Sequence, residues 1–80
     1  MKISKTMKTI NKAIKDGHTI LLQEDIKKYF GRCDEEITDI LQDLGCEVNV
    51  VTNTYIAHLT KTFSKEEIER EQLLEEFGNF

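Results

Sequence analysis

Apolar and polar residues follow two different periods along this chain, and each change of period marks a new element. Ile3, Met7, Ile10 and Ile14 step by four, three and four, and Ala13 joins them on one stripe. That spacing predicts a first helix over about residues 3–16, ended by Gly17. His18-Thr19-Ile20-Leu21 is short and rich in β-branched residues, and reads as a single extended segment. Leu22, Ile26 and Phe30 repeat in steps of four and predict a second helix over Gln23–Phe30. Gly31 follows at once, where a helix needs a residue that tolerates positive φ. Ile37, Ile40, Leu41 and Leu44 make the stripe of a third helix. Asp34 is placed to cap its start and Gly45 to end it. Phe30, Ile37, Leu41 and Leu44 are expected in the core.

The period then drops to two. Cys46, Val48 and Val50 alternate with Glu47 and Asn49. Tyr55, Ala57 and Leu59 alternate with Ile56, His58 and Thr60. Strands over Cys46–Val51 and Thr54–Thr60, each with one buried face, predict a hairpin around Thr52-Asn53. The turn lacks an Asn-Gly pair, so its type stays open. Ser64 and Glu67 have the spacing of a capping box, and Phe63 and Ile68 that of a hydrophobic staple. They start a last helix that runs to about Phe77. Its first turns are almost wholly charged, and Leu73, Leu74, Phe77 and Phe80 gather at its far end. The class is α+β, mainly helical with a small β-hairpin.

The stretch Leu21–Leu44, with its Gln-Glu-Asp-Ile opening, its glycine at the turn and its paired aliphatics, resembles a helix-turn-helix. With the hairpin that follows, the order of elements over Ile3–Leu59 resembles a winged helix. The likeness is at the level of the fold. It implies a winged-helix core over residues 1–62, with residues 63–80 as an acidic amphipathic helix of the same domain or a dimerisation element. It also implies that the third helix is the one offered to a partner, as DNA readers of this shape offer theirs to the major groove. The scaffold serves DNA readers, subunits of larger machines and docking modules alike, so function must come from the surface.

Composition narrows the class. A chain of 80 residues is one small domain, and it buries roughly 60 % of its unfolded surface. No proline, four glycines and 39 % apolar residues fit a compact domain rather than a disordered one. No apolar run approaches the roughly 20 residues that cross a bilayer. The opening MKISKTMKTINKAIK carries a lysine every three or four residues and no apolar h-region, unlike a signal peptide. A cytoplasmic protein is expected, with Cys33 and Cys46 as free thiols.

Charge changes the picture most. The net charge is −4, but residues 1–32 hold eight basic against three acidic side chains, and residues 33–80 hold three basic against twelve acidic. Lys2, Lys5, Lys8, Lys12 and Lys15 form a basic stripe on the first helix, suited to phosphates, to an acidic protein or simply to water. No aromatic residue is interleaved with them, which argues against a single-strand stacking platform. On the third helix, Asp34, Glu35, Thr38, Asp39, Gln42 and Asp43 are expected on the outward side, together with Glu36. Phosphates are held by Lys and Arg, and bases are read by Arg, Lys, Asn and Gln. Only Thr38 and Gln42 suit that work. Lys27, Lys28 and Arg32 flank the motif, and the wing tip over residues 51–54 carries no cation.

The expected function is therefore a non-enzymatic protein-interaction module. Asp34, Glu35, Thr38, Asp39, Gln42 and Asp43 would dock on a basic surface of a partner, including one that otherwise holds nucleic acid, as an inhibitor, adaptor or DNA mimic. The alternative is a dimeric DNA-binding transcription regulator using the first helix or Lys27, Lys28 and Arg32. A subunit of a larger assembly is a third possibility. Duplex DNA is the less favoured partner. Leu73, Leu74, Phe77 and Phe80 point to a homodimer, because an exposed apolar end of a helix usually marks an interface. No catalytic constellation is present: Ser4 and Ser64 are the only serines, and Ser64 has a capping role. His18, Cys33, Cys46 and His58 lack the paired spacing of a structural zinc site, and there is no phosphate-binding glycine loop. No metal and no cofactor are expected.

Overall fold

A computed structural model describes residues 3–77. Its elements are α1 (Ile3–Lys15), β1 (Ile20–Leu21), α2 (Gln23–Phe30), α3 (Glu35–Asp43), β2 (Glu47–Val51), β3 (Thr54–His58) and α4 (Lys65–Phe77). The class is α+β, and the layout is compatible with a winged helix. Phe80 lies outside the described residues, as does Lys2.

The helix ends form as their local chemistry dictates. α3 begins at Asp34, whose carboxylate accepts the Ile37 N–H at 3.1 Å. It ends at Gly45, with φ +93°. There the Cys46 N–H reaches the Leu41 carbonyl at 2.9 Å and the Gly45 N–H reaches that of Gln42 at 3.0 Å. This is a Schellman closure, and Cys46 and Leu41 are the buried apolar pair that accompanies it. Gly31 closes α2 in the left-handed region at φ +79°. At the start of α4 the Ser64 Oγ accepts the Glu67 N–H at 3.2 Å, and the Glu67 carboxylate accepts the Ser64 N–H at 3.3 Å. Phe63 and Ile68 are both buried beside this box, as a staple requires.

The sheet has three strands rather than a hairpin alone. β1 joins β3 antiparallel, Ile20 opposite His58 and Leu21 opposite Ala57, giving the order β1-β3-β2. The Leu59 N–H extends this pairing to the Thr19 carbonyl at 2.7 Å. The hairpin turn has positive φ at both Thr52 (52°) and Asn53 (63°), as a type I′ turn demands.

One core joins these parts: Met7, Ile10 and Ala13 of α1, Leu21, Ile26, Phe30, Ile37, Leu41, Cys46, Ala57, Leu59, Phe63 and Ile68. Several expectations need correction. Leu22 is exposed, because it stands at the N-cap of α2, and Leu21 takes the core position through the alternation of β1. Leu44 and Ile40 are only partly buried, while Thr38 is buried. Ile3 is 38 % exposed, while Ser4 and Thr6 are buried.

The last helix lies on the first within the same chain. Two polar clasps hold it. The Asn11 amide donates to the Phe63 carbonyl and accepts the Phe63 N–H, both at 2.8 Å. The Glu75 carboxylate accepts the Ser4 N–H at 2.9 Å and the Ser4 hydroxyl at 2.7 Å. Ser4 sits in the first turn of α1, where N–H groups have no partner inside the helix and the dipole favours an anion. The contact between these helices includes this cap and a packing interface.

Candidate functional site

The outward side of α3 carries Glu35, Glu36, Asp39, Gln42 and Asp43, all exposed. Thr38 is not part of it. The helix is rotated so that Ile37, Thr38 and Leu41 face inward. Thr38 can be buried because its hydroxyl donates to the Glu35 carbonyl at 3.0 Å. Asp34 is half-buried and already occupied. It caps α3 and pairs with Arg32, whose Nε donates to it at 2.7 Å. The Arg32 guanidinium beside it, then the Ile37 N–H, hold its carboxyl below the usual aspartate range.

Arg32 also reaches Glu36 at 3.0 Å. Its guanidinium, expected with Lys27 and Lys28 to meet DNA in the alternative reading, is shared between two carboxylates of its own chain. Such exposed pairs are weak and salt-sensitive. They nonetheless remove the one arginine near α3 from the set of ready phosphate ligands. The surface left over is acidic: Glu35, Asp39 and Asp43 with the neutral Gln42.

The cations lie elsewhere. Lys5, Lys8, Lys12 and Lys15 of α1 and Lys27 and Lys28 of α2 are exposed. Lys12 and Lys28 meet at a shallow cleft between α1 and α2, lined also by Thr9, Asp16 and Tyr29. Nothing in the sequence signalled the polar cluster there. The Tyr29 hydroxyl lies 3.1 Å from Asp16 and 3.2 Å from His18 Nδ1, and the His18 and Tyr29 rings meet edge to face at 5.8 Å. Desolvation, then the bond to Asp16, push the Tyr29 hydroxyl above the ordinary tyrosine range. The cluster ties the chain after α1 to α2.

Leu73, Leu74 and Phe77 share one side of α4 and are 56 %, 56 % and 59 % exposed. Cys33 and Cys46 are free thiols, and desolvation raises both above the ordinary cysteine value, which keeps them protonated and poorly nucleophilic. Among the described residues, no group of three or more His, Cys, Asp or Glu side chains could hold a metal ion. No described helix is long and apolar enough to cross a membrane. Comparison with known proteins finds no matching family, no similar curated protein and no similar solved structure.

Proposed function

We propose that this chain is a winged-helix docking module of the cytoplasm that binds a basic protein surface through α3 and carries no catalytic activity. The observation that carries the reading is the exposed face of α3. Glu35, Glu36, Asp39 and Asp43 project there, and the nearest arginine is spent on Asp34 and Glu36. A polyanion meeting this face would meet like charge. A cationic surface, including one built to hold nucleic acid, would be steered toward it, so the module acts as an inhibitor, adaptor or DNA mimic. Steering of this kind speeds association and fades as salt rises, because exposed charges are screened over about 8 Å at physiological ionic strength.

The double substitution Glu35→Lys with Asp39→Lys tests it. Both side chains are exposed, so the fold should survive, while affinity for a cationic partner in a pull-down falls by about ten-fold or more. A gel shift of a specific duplex by the wild-type protein at nanomolar concentration near physiological salt would overturn the reading. Lys12 and Lys28, converging on one cleft, favour the second reading in that event: a dimeric DNA-binding regulator that grips phosphates from α1 and α2.

A further inference from the structure

β2 is the outer strand of its sheet, paired with β3 on one side and, among the described residues, with no strand on the other. The two-residue turn makes Val51–Thr54 its closing hydrogen-bonded pair. Alternation then makes Asn49–Ile56 and Glu47–His58 hydrogen-bonded pairs as well. The N–H and C=O groups of Val48 and Val50 therefore point away from β3, toward the open edge. Val50 and Val51 beside them are 61 % and 54 % exposed. Edge strands are normally blunted by charge, proline or a bulge, and β2 has no proline and no bulge and carries a single charge, Glu47, at its start. An edge in this condition accepts an extended chain as a new strand.

Charge decides which chain. Glu47 lies on β2 itself, Asp43 precedes it by four residues, and the acidic α3 packs on β2. Neither strand of the hairpin carries a lysine or arginine. A second copy would bring a second acidic helix to the same edge, and one short strand pair falls well below the roughly 1,000 Å² that a stable interface buries. We infer that β2 receives a cationic extended segment of the partner as a fourth strand. Its main chain bonds to Val48 and Val50, and its lysine or arginine side chains line the solvent face of the sheet beside Glu47. This rests on the docking reading above and adds to it how the partner is held.

The probe is the capped peptide Lys-Val-Lys-Val-Lys-Val-Lys, added at low salt to isotope-labelled protein. Amide exchange of Val48 and Val50 should slow by about ten-fold or more, while that of Asn49, already bonded to β3, stays as it was. Val50→Pro deletes one outward donor and no bond to β3, and should weaken the peptide by roughly five- to ten-fold, the worth of one hydrogen bond. If that variant does not fold, the exchange of the wild-type amides decides alone. Unchanged exchange of Val48 and Val50 at millimolar peptide overturns the fourth strand. In that case, peptide-induced shifts on α3 that vanish in the Glu35→Lys, Asp39→Lys variant would leave the docking reading standing. Protection that grows with protein concentration in the absence of peptide assigns the edge to a second copy and also overturns the proposal.

Discussion

Asp34 shows how much one side chain can hold. It caps α3, restrains Arg32 and closes the turn after α2. Its folded pKa is depressed, so its stabilising effect is fully present above the ordinary aspartate pKa of about 3.9 and is lost as pH falls through the lower folded value. Glu67, held down chiefly by the Ser64 N–H, acts in the same direction. Unfolding midpoints followed by circular dichroism should therefore drop as pH falls below about 4. Asp34→Asn keeps a good cap and cannot titrate, so its acid loss should be visibly shallower than that of the wild type. Thr38 and Leu22 teach a different lesson. Periodicity names a stripe but leaves its rotation uncertain by one position. What places Thr38 inside is a hydroxyl satisfied by the preceding turn, and what places Leu22 outside is its post at a helix start.

Among the elements, α2, α3 and the hairpin were legible because each has a period and a stop signal. β1 was seen only as an extended stretch, since two residues carry no period and their pairing with β3 is a long-range event. α4 was legible in its start, where capping box and staple are local, and not in its docking. Asn11 and Ser4, which clasp it, look like ordinary polar residues of a helix. The hairpin turn is the element most open to improvement. Type I′ favours Asn-Gly, and Thr52 is β-branched at positive φ, a conformation that costs an ordinary residue roughly 1–2 kcal/mol. Replacing Thr52-Asn53 by Asn-Gly should raise stability by about 1 kcal/mol, and the melting temperature by about 4–8 °C. A calorimetric scan checks it.

At the scale of the molecule, the first and last helices pack on each other within one chain. That leaves Leu73, Leu74 and Phe77 as the apolar surface at the end of α4. We expect a homodimer through it. Light scattering at high micromolar concentration should give twice the monomer mass, and Phe77→Glu should return the monomer with its helical content intact, because the side chain is exposed. A wild-type monomer under those conditions rules the interface out. The acidic face was visible in the sequence because charge needs no geometry to be counted. The pairing of Arg32 and the burial of Thr38 needed the fold, since each is set by a neighbour at atomic range.

The bonds from Ser4 to Glu75 span 71 residues of sequence. Contacts of such separation form late, because the chain must close a long loop before they repay it. α2, α3 and the hairpin lie close together in sequence and can assemble while α1 still waits for its cover. The acidic face of α3 thus depends on nearer contacts than the latch does. A chain cut before Glu75 would keep the acidic face of α3 and lose the latch on Ser4.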